Sequence, residues 1–297
     1  MESAGPFVVT DARAAGSRRA GHVPPHLYFV TSAIFHYLGP SFAVLLFADI
    51  APLGVAWLRI ASAGAVFALW RRPWRFLATL PREEQCTVAA LGVVLAAMNS
   101  VFYEAIARLP LATVGAIEVL GPIAIAALGL RTRRNLAALA LAVAGVAVLT
   151  EIRIAGETLG YVFAFANCLL FALYILLGHR IATAGGASGI DRLGAAMLIA
   201  TIAALPLGIR TAAPAFASPL LLGAGIGVGV SSSIIPYVCD QLAMARLPRA
   251  TFALLLSLLP ATATVIGLLV LRQVPGPAEL LGVALVIGGV ALHRAEG

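Results

Sequence analysis

The sequence predicts an all-α membrane protein: ten transmembrane helices arranged as two inverted five-helix repeats, with both termini cytoplasmic. Three observations predict it. Apolar runs of membrane-spanning length recur from end to end. Arginines concentrate on one side of the alternating loops. One span-turn-span unit is written twice, five spans apart.

Composition sets the class. Of 297 residues, 61% are hydrophobic and only 11% are charged, with mean hydropathy +0.99. A soluble domain carries about a quarter charged residues. A net charge of +7 and a pI near 10.0 would suggest nucleic acid as partner of a soluble protein. Here every basic residue is an arginine and most sit in short loops, where they orient spans in the lipid bilayer, so no nucleic acid is expected. The runs are continuous rather than alternating, which selects helices over barrel strands.

The spans are read at 27–47, 51–70, 87–107, 111–130, 135–150, 159–178, 193–209, 219–244, 250–271 and 277–292. Those near 140, 200 and 285 fall short of the roughly 20 residues a straight span needs. Only "ADIAP" (48–52) separates the first two. Residues 1–24 form a polar cytoplasmic tail without the apolar core of a signal peptide. With that tail inside, inner segments hold fifteen arginines, and outer connections hold four: Arg108, Arg153, Arg210 and Arg272. Arg59 lies within span two.

Shifting the chain by 138 residues aligns "ARLPLATVGAIEVLGP" (107–122) with "ARLPRATFALLLSLLP" (245–260). Nine of the twenty positions from 105 to 124 are identical. Each half holds five spans, an odd number, so the second copy lies upside down relative to the first. Residues 25–154 form the first five-helix repeat and 155–297 the second. Inverted repeats of this kind hold substrate near the bilayer midplane.

Ionisable groups within spans are few, and each is costly unless it faces a polar cavity or a partner. Glu118 lies deep in span four, with Gly115, Gly121 and Pro122 on its face. Pro122 cannot donate to the Glu118 carbonyl, so a free carbonyl adjoins the carboxylate. Together they can hold an ammonium group or a proton; a structural hydrogen bond or ion pair is the alternative. Asp240, four residues after Pro236, is either a second carrier or an interfacial acid. Glu104 and Arg108 make a favourable i,i+4 pair, read as structural. Arg59 either pairs or caps carbonyls across helices, or clamps a substrate carboxylate bidentately. His36 precedes Gly39-Pro40, which is expected to bend or break the helix; its imidazole either titrates and binds substrate or is a satisfied core group. Pro122, Pro236 and Pro260 are further candidate breaks or hinges. Asn99, Tyr103, Asn167, Tyr174, Tyr237 and Ser257 line a polar cavity if they face inward, and glue helices together otherwise.

Trp57, Trp70 and Trp74 are read as interfacial anchors. The glycines of "GIGVGVSSS" (225–233) are read as close helix packing rather than phosphate binding. No cofactor, metal or disulfide framework is expected: Cys86, Cys168 and Cys239 are scattered, and there is no Walker-type loop.

The paired "RLP-x-AT" turns resemble the ten-helix, two-repeat EamA-type branch of the drug/metabolite transporter superfamily. "GPSFAVLLF" (39–47), "LRIASAG" (58–64), "NSVFYEAIARLPLATVGAIEVLGPIA" (99–124), "FALYILLGHR" (171–180) and "IIPYVCDQLAMARLPRATFALLLSLLPA" (234–261) are similar to its threonine/homoserine exporter subgroup. The resemblance implies a bacterial inner-membrane exporter of a small molecule, a neutral amino acid above all, driven by protons. It leaves open another substrate class (purine, drug or sugar) or uptake in place of export. An intramembrane enzyme is disfavoured because the ionisable groups are spread across depth. The subgroup tends to keep an acid before the proline of span nine. Here that position is Leu259, so a second carboxylate would have to be Asp240. Oligomeric state is not indicated.

Overall fold

The computed structural model describes residues 24–121, 123–124, 132–151, 157–182, 186–247, 252, 255 and 258–292. Pro122, Ser257, the tail to residue 23 and the boundary expected near 154 lie outside them. The described residues are all-helical, with no strand among them.

The helices are α1 (Pro25–Leu45), α2 (Pro52–Arg71), α3 (Pro73–Leu77), α4 (Arg82–Ile106), α5 (Leu111–Glu118), α6 (Arg133–Glu151), α7 (Thr158–Ala182), α8 (Gly186–Gly208), α9 (Ala213–Ala217), α10 (Pro219–Gly229), α11 (Ile235–Met244), α12 (Leu258–Leu271) and α13 (Pro277–Leu292). Proline opens many of them, because its fixed φ suits the first turn and its missing N–H would be unpaired there anyway. The α2 helix ends on Arg72 in the left-handed conformation, with Pro73 forbidding continuation. The "ADIAP" junction is a single 3₁₀ turn, Leu46–Ala48, before Pro52 starts α2.

Among the described residues, six segments are long and apolar enough to cross a membrane: His26–Ala48, Pro52–Arg71, Arg82–Ile106, Thr158–Ala182, Gly189–Gly208 and Pro219–Met244. Leu259–Leu271 and Pro277–Gly289 are shorter apolar helices. The span near 200 is longer than its sequence reading, because α8 extends back to Gly186. Large apolar side chains such as Leu69, Leu169, Leu220 and Leu269 point away from the protein, which suits a lipid surround.

Helix contacts come in exchanged pairs. The α1 helix packs on α11 and α12, as α7 packs on α4 and α5. The α2 helix meets α8 and α10, and α8 in turn meets α4. The α6–α13 and α5–α12 pairs complete the set. The two "ARLP" turns are bonded alike. Ala107 N–H donates to Tyr103 O at 3.1 Å and Leu109 N–H to Ala105 O at 2.8 Å; Ala245 N–H donates to Gln241 O at 3.0 Å and Leu247 N–H to Ala243 O at 2.8 Å. Arg108 lies 5.2 Å from the Phe163 ring of α7, and Arg246 lies 5.1 Å from the Tyr28 ring of α1.

Three expectations need correction. The α1 helix runs unbroken through Pro40. The glycine before it serves close packing: a Cβ on Gly39 would meet the Cβ of Ser232 at 2.2 Å. Trp57 is not an interfacial anchor; it is buried, donates its indole N–H to Thr201 O at 3.2 Å and packs on Gly208. Trp70 and Trp74 are exposed. The irregularity near Pro236 precedes it: a π-helical segment, Val230–Ile234, joins α10 to α11, and Pro236 sits in the first turn of α11. In the glycine-rich run, Gly229 abuts Ser62 and the Arg59 carbonyl of α2, Gly225 packs on Leu58, and Gly227 faces open space.

Candidate functional site

Glu118 is the last residue of α5, and its carboxylate is buried. Close packing puts it at a helix junction. A Cβ on Gly115 would meet Ala263 of α12 and Tyr37 of α1, and one on Gly121 would meet Cys168 O and Ala172 of α7. These approaches bring three donors to the carboxylate. Tyr37 O–H donates to Oε2 at 2.8 Å, Asn167 Nδ2 donates to Oε1 at 2.9 Å, and His36 Nε2 stands 3.4 Å from Oε2. The His36 ring also packs against Tyr37 and Phe171.

Arg59 of α2 is buried and reaches the π-segment. Its Nε donates to Ser233 Oγ at 2.7 Å, and one terminal nitrogen donates to Ser232 O at 2.5 Å and to Tyr237 O–H at 3.4 Å. The ring of Tyr103 lies 5.4 Å and that of Tyr237 5.8 Å from the guanidinium carbon, so two aromatic faces share its charge. A widened π-turn exposes backbone carbonyls that an α-helix keeps for itself. Asn99 of α4 donates to Leu95 O at 2.7 Å and to Tyr237 O–H at 3.3 Å. The hydroxyl of Tyr103 is buried without a hydrogen-bond partner.

His36, Arg59, Asn99, Glu118, Asn167 and Tyr237 line one cavity, with Met98 and Phe102 as apolar wall. Its open volume is about 10 Å³, at the lower limit of what a single water needs. The walls therefore part before anything larger enters.

Asp240 of α11 forms a second buried centre. Ser32 O–H donates to Oδ1 at 2.5 Å and Tyr174 O–H to Oδ2 at 3.2 Å. Tyr174 and Tyr237 have ring centroids 5.5 Å apart and bridge the two centres. Glu104 and Arg108 stand apart from both, paired with each other at the end of α4. Among the described residues, no group of three or more His, Cys, Asp or Glu is arranged to hold a metal.

Compared with known proteins, the chain is 31% identical over 256 residues to the threonine/homoserine exporter RhtA of Escherichia coli (strain K12), covering 84% of each chain. The chain belongs to the EamA-like transporter family. The family's own pattern matches residues 158–294. RhtA of Salmonella typhimurium (strain LT2) is 31% identical over 255 residues, with the same coverage. A crystal structure of another protein superposes with a TM-score of 0.64 at 19% identity, covering 90% of this chain and 95% of that one, and so shares the fold. This EamA-family chain is a multi-pass bacterial inner-membrane transporter, similar to the RhtA exporters.

Sequence reasoning missed four members of this EamA-family site: Tyr37, Ser32, Ser232 and Ser233. Ser32 was findable, because it lies one turn before His36 on the same face of α1. Tyr37 and the two serines depend on which helix stands opposite, and no local spacing carries that.

Proposed function

We propose that this protein exports a neutral amino acid of the threonine/homoserine class in exchange for protons. One observation carries the reading: Glu118 and Arg59 line the same buried cavity. A zwitterionic amino acid presents one ammonium and one carboxylate, and the cavity offers one group of each opposite charge. Guanidinium binds carboxylate as a planar fork, and a buried carboxylate binds ammonium through charge-assisted hydrogen bonds. The relatives named threonine/homoserine exporters support the substrate class.

In this reading Glu118 alternates between two cations. With the cavity closed, the His36 imidazole and a proton satisfy it. When the cavity opens to the cytoplasm, the substrate ammonium displaces that proton, and Arg59 turns from Ser232 and Ser233 toward the substrate carboxylate. On the outer side a proton returns to Glu118 and releases the amino acid. Proton and substrate compete for one carboxylate, which is the minimal requirement for exchange.

The scaffold in this reading is ten helices in two inverted five-helix repeats, residues 25–154 and 155–297, with both termini cytoplasmic. The matching "ARLP" turns, the exchanged helix contacts and the arginine asymmetry support it.

A counterflow screen in proteoliposomes tests the function. Purified protein is loaded with one unlabelled solute and offered labelled amino acids, purines or sugars, with an internal pH dye. Exchange of threonine or homoserine with proton counter-movement is expected. No exchange of any amino acid would discard the substrate class and leave the family membership standing.

A further inference from the structure

We propose that the side-chain oxygen of Asn167 selects hydroxylated substrates, accepting a hydrogen bond from the side-chain hydroxyl of the transported amino acid. This rests on the amino-acid reading above and names the group that decides among amino acids.

Asn167 is fully buried on α7 and lines the cavity with Glu118 and Arg59. Its amide orientation is dictated by chemistry. The Nδ2 end faces Glu118 Oε1 at 2.9 Å, and a carboxylate oxygen there only accepts, so a donor must face it. The oxygen is therefore the end left over, and it has no hydrogen-bond partner. A buried acceptor without a donor is destabilising, so the site is poised to take one.

The donors already in the cavity are engaged. Tyr37 O–H is on Glu118, Arg59 donates to Ser232, Ser233 and Tyr237, and Tyr237 O–H donates to Asn99 Oδ1. A donor for Asn167 has to arrive with the ligand. Glu118 and the Asn167 oxygen are adjacent acceptors, because one amide joins them. An amino alcohol carries adjacent donors: an ammonium and a hydroxyl two or three carbons along. Threonine and homoserine both have this pattern, and valine and norvaline have the same shapes without the second donor. A buried group built to pair a substrate hydroxyl discriminates strongly against the analogue that lacks it.

The test compares isosteric substrates in proteoliposome counterflow. The wild type should exchange threonine over valine, and homoserine over norvaline, by about 10- to 100-fold in kcat/KM, the range one unmade buried hydrogen bond produces. Asn167→Leu should bring both ratios close to one. The ratio cancels any loss of support for Glu118, since both members of a pair carry the same ammonium. Asn167→Asp keeps an acceptor and should retain the preference while lowering the flux of both. If Asn167→Leu fails to fold, Asn167→Ala makes the same prediction. Valine exchanged as readily as threonine by the wild type, or a ratio retained in the Leu or Ala variant, overturns the assignment alone. Absence of exchange for every amino acid overturns the underlying reading, and this assignment with it.

Discussion

Glu118 and Asp240 are both buried, and they are held by the same pair of helices in different ways. Helix α1 gives His36 and Tyr37 to Glu118, and Ser32 to Asp240. Helix α7 gives Asn167 to Glu118 and Tyr174 to Asp240. The difference is the imidazole. Glu118 has an imidazole nitrogen beside it, whereas the direct partners of Asp240 are hydroxyls. Glu118 also opens onto the cavity with Arg59, and Asp240 does not line it. Burial alone does not make a carboxylate a carrier. A carrier needs an exchangeable cation beside it and room for a second one.

The comparison can be broken most directly at the acids themselves. Glu118→Gln should reduce proton-coupled exchange by about 100-fold or more, since loss of one member of a buried charged contact costs several kcal/mol. Stopped-flow fluorescence of a pH dye in proteoliposomes reads it, and a wild-type rate in well-folded protein would refute the role given to Glu118. Asp240→Asn should cost less, about 10-fold in rate, with coupling preserved. If it matches Glu118→Gln and uncouples protons, the two acids are equivalent carriers and the distinction drawn above fails. His36→Gln sharpens the contrast. It should slow exchange by about 10-fold, because a buried partner of the Glu118 carboxylate is lost. A wild-type exchange rate would mean that the imidazole contributes nothing to Glu118. The smallest effect is expected from Ser32→Ala, which removes one hydrogen bond to Asp240. Melting in detergent should register a loss on the order of 1–2 kcal/mol, with the pH profile unchanged.

The class of this protein was legible in its sequence because hydropathy alone decides it: helices such as Thr158–Ala182 are apolar over their full length. Glu118 was legible for the opposite reason, as a charge where charge is costly. The roles of Arg59 and Asp240 were left open between two readings each, because a side chain's partner depends on the helix across from it. The Gly39-Pro40 pair misled for a related reason. Proline does remove a bond from α1, yet the helix runs on through it, with Gly39 packed against Ser232. Trp57 misled because tryptophan suits both an interface and a tight core contact, and only the approach of Gly208 selects between them. Pro122 and Ser257 fall outside the described residues.

The π-segment at Val230–Ile234 has an evolutionary side. A π-turn holds one residue more than the α-turn it interrupts, so it behaves as a single-residue insertion carried in an otherwise regular span. Deleting one residue there would restore an α-turn and leave the residues beyond it on the face they already hold. The same deletion at the start of α11, which has no wide turn to absorb it, would rotate everything beyond it by about 100°, and Asp240 would leave Ser32 and Tyr174. Single-residue deletions along this span should therefore be tolerated better within 230–234 than in α11.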